Sequence, residues 1–496
     1  MNIKIATNSL ILTITRFINL VVMIIYLMIL ARFLTLKEYG TFSQILLISN
    51  FATIVLGFGL ASSVNYFMAK EDTDDGKNKF LSIFYTFTIF ISVIIGITLI
   101  LTDSFFSKYF NNDDLISYSI AFFVLPFAII SKSSFDNVMI VSNKTRYLLF
   151  FKIFHSALLL ITVTLNFILK SNFKIFLIFY LAIELIVSLI FLLYIYLFVN
   201  KFKFKIEYRI LKSILKFSIP LGLATTISTI NIELDKFIIG RFFDTEKLAI
   251  YTNGSKEMPV TIISGSLVSI LMPIIVKEIK RKNYNKVMEL WNKTNELSLI
   301  VISYFIIIFL VFAPEIVTIL YSKKYIEAVP IFRIYSLVLF LKFTYFGMVL
   351  NASGKTKFIF YSSLISLFLN MFLNVLFIKL FGFIGPAIAT LLSLSVVVFF
   401  QLFYTSKLTG FSFLKIFKWN TIFKTIVVTF LFSVILEVLK IFILKFRINP
   451  YLSFIVLLFL FSIFYFIFAF KKKILNLWKY LNNYKQEDEI KNENFS

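Results

Sequence analysis

RFLTLKEYGTFSQ (residues 32–44) ends the first apolar segment of the chain and begins the second. RFFDTEKLAIYTN (residues 241–253) does the same between the seventh and eighth segments, 209 positions later. At that offset an aromatic, a hydroxyl and an amide residue recur in order, ending with Gln44 opposite Asn253. SNKTRY (142–147) after the fourth segment recurs as SGKTKF (353–358) after the tenth. These matches predict two copies of a six-span unit, related by an axis along the membrane normal because six spans is an even number.

The composition places the chain in the membrane. Of its 496 residues, 59% are hydrophobic and 15% are charged, whereas a soluble domain is about 25% charged. A spanning helix takes about 20 apolar residues, and the chain holds fourteen apolar segments of roughly that length. We therefore expect an all-α polytopic membrane protein with about 14 transmembrane helices. The chain has no cysteine, which excludes disulfides, thiolate zinc sites and cysteine nucleophiles.

The repeat divides the chain into predicted domains. Residues 1–205 form an N-terminal six-helix lobe and residues 206–410 a C-terminal one. Residues 411–475 add helices 13 and 14, and 476–496 form a cytoplasmic tail. Two lobes with a cleft between them are the architecture of an alternating-access transporter.

The chain has a net charge of +24, and the distribution of its basic residues between the loops predicts its orientation in the membrane. Loops on the side of the N-terminus carry roughly thirty Lys and Arg residues, against roughly thirteen on the other side, so both termini are predicted to be cytoplasmic. Basic stretches that contain aromatic residues, such as 201–217, abut spans and are expected at the lipid headgroups. We expect membrane lipids and no nucleic acid as partners.

Polar residues inside the spans are the candidate site, because an intramembrane charge is costly and usually faces the bundle interior. Cations would bind phosphate, and amides would bind sugar hydroxyls. The alternative is that these residues pair with each other and hold the bundle together. Asp235 and Glu184 are also candidates for exchanging a coupling ion. The candidate substrate-binding residues are Arg16, Asn19, Asn231, Asp235, Asn253, Lys256, Lys342 and Asn370.

Other polar residues are expected to be structural. Lys132 with Asp136, and Glu437 with Lys440, are spaced as local pairs along a helix. His155, the only histidine, is predicted to pack, and we expect no metal site and no cofactor. Gly354-Lys355-Thr356 lacks the upstream glycine of a phosphate-binding loop and is predicted to be a helix-to-helix turn.

Four runs resemble the bacterial polysaccharide transporter family, which includes the O-antigen and capsule repeat-unit flippases of the multidrug/oligosaccharidyl-lipid/polysaccharide exporter superfamily. They are ARFLTLKEYGTFS from Ala31, FSIPLGL from Phe217, DKFIIGRFF from Asp235 with YTNGSK after it, and FGFIGPAIATLLS from Phe381. The first lobe departs from the pattern, since its last span has no counterpart of the glycine-rich turn at 382–390.

The resemblance implies two lobes like those of the multidrug and toxin extruders. It also implies a function: moving an undecaprenyl-diphosphate-linked oligosaccharide from the inner to the outer leaflet of the bacterial inner membrane for surface polysaccharide synthesis. The polymerase and chain-length machinery of the same pathway are the implied partners. Alternatives in the superfamily are a drug or cation antiporter and a peptidoglycan-precursor or teichoic-acid flippase. A membrane glycosyltransferase or polymerase is a remote alternative, and no enzymatic activity is expected.

Overall fold

The computed structural model describes residues 3–71, 73–256, 258–446 and 448–467, without the side chains of residues 3–17, 221, 224, 225 and 228. All regular structure in these ranges is helical, which confirms the predicted all-α class. Within these ranges, nine helices are long and apolar enough to cross a membrane, and two shorter apolar ones accompany them. Their number does not establish the expected fourteen spans.

By internal contacts the chain forms two compact units. Unit 1 comprises residues 1–253 and 319–325, and unit 2 comprises 254–318 and 326–496. This division differs from the lobes 1–205 and 206–410, which rest on the sequence repeat and remain a prediction.

Unit 1 contains the first eleven helices. They are α1 (Ile3–Phe33), α2 (Leu36–Leu56), α3 (Leu60–Lys70), α4 (Asp74–Leu101), α5 (Asp103–Phe110), α6 (Asp114–Ser117), α7 (Ile120–Val141), α8 (Thr145–Ile168), α9 (Phe173–Tyr194), α10 (Tyr208–Phe242) and α11 (Thr245–Gly254). A π-helical turn, Ile195–Val199, extends α9. Aromatic and aliphatic side chains of α3, α4, α7 and α9 pack into a core around Phe84, Phe135 and Phe191.

Unit 2 contains the remaining helices. They are α12 (Thr261–Lys280), α13 (Tyr284–Val311), α14 (Ala313–Tyr321), α15 (Val329–Val338), α16 (Met348–Ala352), α17 (Thr356–Phe381), α18 (Gly385–Thr409), α19 (Phe413–Ile416), α20 (Trp419–Lys445) and α21 (Pro450–Tyr465). The last turn of α14 belongs to unit 1. Between α17 and α18 the buried contact is polar: the Ser366 hydroxyl donates to the Ser393 carbonyl, and Gln401 donates to Ser362. Small polar residues suit helix packing in lipid, where apolar surface gives no preference for a neighbouring helix.

Among the described residues, the segments expected to span at 41–67, 248–275 and 329–350 contain breaks. The second expected span breaks between α2 and α3, where Phe58 and Gly59 have positive φ angles. Gly59 lies against Gly222 of α10 so closely that a Cβ on Gly59 would be 2.6 Å from the Gly222 Cα. The eighth span breaks between α11 and α12, and the tenth breaks at 339–347 between α15 and α16.

The repeat is visible in local geometry. α1 ends at Phe33 and α2 begins at Leu36, and 209 positions later α10 ends and α11 begins in the same way. In the first copy the Thr35 hydroxyl accepts from the Glu38 amide at 3.2 Å. In the second copy the Asp244 carboxylate accepts from the Lys247 amide at 2.7 Å. Both copies therefore use a side-chain cap to start the second helix.

The turns after α7 and α16 also match. Asn143 (φ 54°) and Gly354 (φ 69°) occupy the same left-handed position. The next amide, of Lys144 or Lys355, donates to the carbonyl five residues earlier, at 2.9 Å and 2.8 Å respectively. The structure thus has the predicted helix-to-helix turn at Gly354.

This turn gives a first prediction. Gly354→Ala should lower the free energy of unfolding by about 1 kcal/mol, the usual cost of a left-handed residue that carries a Cβ. A Cβ there meets no atom within 4 Å, so the cost is conformational. Gly354→Asn, which copies Asn143, should cost clearly less because asparagine tolerates this region. Unfolding of the purified protein in detergent measures both, and equal losses for the two variants would contradict the interpretation.

Candidate functional site

A buried carboxylate in unit 1 is held by two basic side chains from neighbouring helices. Glu184 of α9 is 1% exposed. Lys132 of α7 forms an ion pair with it, and the His155 Nε2 of α8 lies 3.4 Å from its Oε1. Because all three lie on predicted spans, the group joins α7, α8 and α9 by charge inside the membrane.

A second ion pair lies one helical turn along. Asp136 of α7 is 2.7 Å from the Lys152 ammonium of α8. The predicted pairing of Lys132 with Asp136 is therefore wrong: each finds its partner on another helix. Side chains on one helix face can reach the adjacent helix, and sequence spacing does not reveal that choice. His155 also does more than pack, because it adjoins the Glu184 carboxylate.

α1 is connected to the same region. The Ser156 hydroxyl of α8, next to His155, donates to the Asn19 side-chain oxygen. Asn19 and Glu184, both predicted from the sequence, thus lie near the same stretch of α8. The side chain of Arg16, one turn before Asn19, lies outside the described residues.

Two predicted residues near the α1–α2 and α10–α11 junctions each accept a hydrogen bond from a tyrosine. The Tyr39 hydroxyl donates to the Asn253 side-chain oxygen at 2.8 Å. The Tyr251 hydroxyl donates to the Asp235 carboxylate at 2.9 Å. Asp235 and Asn253 are both almost fully buried, whereas Asn231, one turn before Asp235, is partly exposed.

Arg32 and Arg241, which are repeat equivalents, hold the ends of two short helices. Arg32 donates to the carbonyls of Ile319 (2.5 Å) and Leu320 (3.1 Å) in the last turn of α14. Arg241 donates to the Tyr109 carbonyl (3.2 Å) in the last turn of α5, and its guanidinium lies 5.5 Å from the Tyr109 ring centroid. A cation at a helix C-terminus is favourable because the last carbonyls lack partners. We call these contacts the Arg32 clamp and the Arg241 clamp.

Lys324 reinforces the Arg32 clamp. Its ammonium donates to the Leu34 carbonyl, next to the end of α1. Burial lowers the pKa of Lys324 below its usual value; the Glu38 carboxylate opposes that shift and the Arg32 guanidinium adds to it. The segment 319–325 is thus fastened to the α1–α2 junction of unit 1.

Unit 2 has a cavity of about 430 Å³ beside the break in the tenth span. Its lining includes Thr261, Ser264, Leu341, Lys342, Tyr345 and Gln401. The Ser264 hydroxyl donates to the Lys342 carbonyl at 3.0 Å. Non-helical backbone at membrane depth is tolerated where it is buried in protein or lines a cavity, and Lys342 lies where the helix stops.

The other predicted residues lie apart from this cavity lining. Lys256 is exposed in the break between α11 and α12. Asn370 is fully buried on α17, where its side-chain oxygen and carbonyl accept from the Asn374 amide. The predicted pair of Glu437 with Lys440 is wrong, because Lys440 pairs with Glu315 of α14 at 2.9 Å.

Sequence reasoning missed several lining residues. Gln401 is a polar residue within an apolar segment and could have been found in the same way as Lys342. Ser264 and Tyr345 carry no such signal, since isolated serines and tyrosines are common in spans. Outside the cavity, Tyr39, the hydrogen-bond partner of Asn253, was also missed; it had a signal, because it stands inside the repeated stretch next to Gly40.

A family model described as "polysaccharide biosynthesis protein" matches residues 29–330. The chain belongs to this family. An uncharacterized membrane protein of Methanocaldococcus jannaschii is 31% identical over 189 residues, so the chain spans 37% of the length of this curated relative.

Solved structures support the fold of this polysaccharide biosynthesis family member. The lipid II flippase MurJ in an inward closed conformation aligns with a TM-score of 0.70 at 16% identity, covering 92% of this chain and 98% of that one. An inward-facing multidrug MATE transporter of the MOP superfamily aligns with a TM-score of 0.63 at 14% identity, covering 82% and 99%. The chain is thus a multi-pass membrane protein with a flippase- or transporter-type fold.

Proposed function

We propose that the protein is a flippase for a lipid-linked oligosaccharide. Its substrate is an undecaprenyl-diphosphate-linked repeat unit, which it moves from the inner to the outer leaflet of the bacterial inner membrane by alternating access. The product supplies surface polysaccharide synthesis, such as O-antigen or capsule. Family membership and the MurJ-like fold support this class of function.

The observation that carries the proposal is the cavity beside Lys342. A diphosphate linked to a sugar and a polyprenyl chain needs a cation, hydrogen-bonding groups and apolar surface close together. The cavity lining includes Lys342, Gln401 and several hydroxyl-bearing residues among aliphatic and aromatic ones. Charge-assisted hydrogen bonds to phosphate are the strongest of these contacts.

The lysine also separates this proposal from a drug antiporter. A lysine in the lining favours an anionic headgroup over a cationic drug, because opposite charges attract and like charges repel. Peptidoglycan and teichoic-acid precursors share the anionic lipid linkage, so they are alternatives that only a substrate comparison can separate.

Energy coupling is proposed for the ion-paired carboxylate. Glu184 lies between Lys132 and His155, so proton exchange at its carboxylate would alter how α7, α8 and α9 hold together. Asp235, bonded to Tyr251, is the second candidate. The proposed substrate contacts besides Lys342 are Arg16, Asn19, Asn231, Asp235, Asn253, Lys256 and Asn370.

The proposal is tested in proteoliposomes loaded with undecaprenyl-diphosphate oligosaccharide in both leaflets. An impermeant glycosidase added outside should digest about half of the glycan in empty vesicles and nearly all of it when the protein is active. Undecaprenyl-diphosphate-linked peptidoglycan precursor and a cationic dye are run in parallel. Transport of the dye alone would overturn the proposal, and transport of the peptidoglycan precursor alone would reassign the substrate.

Lys342→Gln should slow the glycan transport rate by about fivefold, the loss expected when one charge-assisted hydrogen bond becomes neutral. Lys174→Gln, at an exposed position at the start of α9, is the matched control and should transport normally. Equal rates for both variants, at equal amounts of reconstituted protein, would exclude Lys342 from substrate binding.

A further inference from the structure

The connection between α9 and α10 is an extended segment fastened along α4. We call residues 200–207 the basic strap. The Lys203 amide donates to the Ser82 hydroxyl and the Lys205 amide to the Thr86 hydroxyl, each at 3.0 Å. Both hydroxyls donate in turn to carbonyls of α4, so they are fixed as acceptors for the strap. The backbone of the strap is therefore held at two points one helical turn apart.

Side chains add two more attachments. Phe202 is 4% exposed and stacks on Tyr85 with ring centroids 5.1 Å apart. Glu207 forms an ion pair with Lys79 of α4 at 3.0 Å. Ser82, Tyr85 and Thr86 lie at the start of the apolar part of α4, so the strap lies where a spanning helix meets the headgroup region.

The other side chains of the strap alternate in character. Lys201, Lys203 and Lys205 are exposed. Phe204 and Ile206 lie between and after them with 65% and 59% of their surface exposed. In an extended chain successive side chains point to opposite faces, so the lysines share one face and the apolar residues the other. Lysines beside exposed apolar groups are the pattern of a surface that meets anionic lipid.

An apolar cavity of about 340 Å³ adjoins the strap. It is lined by α4, α7 and α9, with Val93, Phe123 and Leu189 on its wall, and by Phe204 of the strap itself. Its single hydroxyl, of Ser92, already donates to the Thr88 carbonyl at 2.7 Å. A cavity with so few polar partners does not hold ordered water. Val93, Phe123 and Leu189 are each more than a third exposed, so the cavity is open on the outside of unit 1.

We infer that the basic strap and this cavity form one binding site for an anionic phospholipid. The lysines bind the phosphate of the headgroup, and the cavity takes part of an acyl chain. Phe204 lies in the strap and also lines the cavity. The lysines that bind the headgroup therefore adjoin the residues that bind the acyl chain. This site lies outside the Lys342 cavity and does not depend on the proposed flippase function.

A tryptophan introduced in place of Phe204 reports on the site. The chain has tryptophans only at 291, 419 and 478, and their signal is removed by subtracting the wild-type protein. Phe204→Trp is reconstituted in nanodiscs of unlabelled phosphatidylcholine. Phosphatidylglycerol or phosphatidylcholine carrying bromine on one acyl chain is then titrated in, since bromine quenches tryptophan only at close range. The expected result is stronger quenching by the brominated phosphatidylglycerol at equal mole fraction.

Variants test each half of the site. In the Phe204→Trp background, each lysine of the strap changed to glutamine should weaken the phosphatidylglycerol preference by up to about fivefold at low salt. The matched control changes Lys108 of α5, Lys170 of the α8–α9 turn and Lys174 of α9, which are exposed and lie outside the strap. Leu189→Trp, made in the otherwise wild-type chain, fills the cavity and should reduce the number of phosphatidylglycerol molecules retained in native mass spectrometry.

Two outcomes overturn the inference. Equal quenching by the two brominated lipids would show only ordinary boundary lipid at Phe204. A phosphatidylglycerol preference that survives removal of Lys201, Lys203 and Lys205 would place the headgroup elsewhere.

Discussion

Glu184→Ala should destabilise the protein by about 3–5 kcal/mol, because it leaves the Lys132 ammonium without its carboxylate inside the membrane. Glu184 is nearly fully buried, so solvent cannot replace the lost partner. The expected result is a large drop in membrane abundance and in the midpoint of thermal unfolding in detergent.

A double substitution separates the charge from the packing. Lys132→Met with Glu184→Met removes both charges and should recover most of the stability, since a buried pair is often replaceable by apolar residues. Asp136→Asn is the comparison variant; its pair with Lys152 is about a third exposed and should lose less. If the double variant were as unstable as Glu184→Ala, the unpaired lysine would not be the cause.

The same double variant tests the coupling proposal. A stable protein without Glu184 should lose any dependence of transport on an imposed pH gradient while still binding substrate. Unchanged gradient dependence would remove Glu184 from coupling and leave Asp235 as the candidate.

Opening of the two arginine clamps is the second large effect that we expect. Arg32→Gln with Arg241→Gln removes charged donors from the last turns of α14 and α5. Each clamp joins the predicted lobes 1–205 and 206–410, and both clamps lie on the side that the charge distribution predicts to be the outer one. Their loss should therefore favour an outward-open state. Weakening two charge-assisted hydrogen-bond contacts should raise the ratio of the outward-open to the closed population by about tenfold or more.

The absence of native cysteine makes this measurable. Thr226 of α10 is 8% exposed and its hydroxyl lies 3.4 Å from the Ile54 carbonyl of α2. Thr226→Cys should react slowly with an impermeant maleimide, and about tenfold faster when both arginines are changed. Ser104→Cys, exposed next to the start of α5, should react at one rate in either background. No acceleration at position 226 would show that the clamps do not control access.

The sequence predicted the helical membrane class because apolar length is set by the bilayer, whatever the packing. It predicted the helix junctions at Arg32 and Arg241 because capping residues and their spacing are local. It did not predict the breaks at Phe58 and Lys342, where contacts with other helices stabilise a non-helical backbone. Partners of buried charges were wrong for the same reason: Lys132 and Lys440 both pair across helices.

The candidate site was predicted only in part. Searching for polar residues in apolar segments found Lys342, Asp235, Asn253 and Glu184, each of which the structure places among polar neighbours or at a cavity. The search could not say which of them lie together, because that depends on helix rotation. The serines and tyrosines that complete these groups cost little free energy in lipid and are common in spans. They therefore do not stand out in a sequence.

The basic strap, which connects α9 to α10, is attached to α4 along its length. Two hydrogen bonds from backbone amides to side-chain hydroxyls, a stacked ring and an ion pair hold it against α4, so a shift of α10 along α4 would have to break these contacts. Such a tether resists the first small displacement most strongly and gives way stepwise. It would therefore limit how fast α10 moves more than how far.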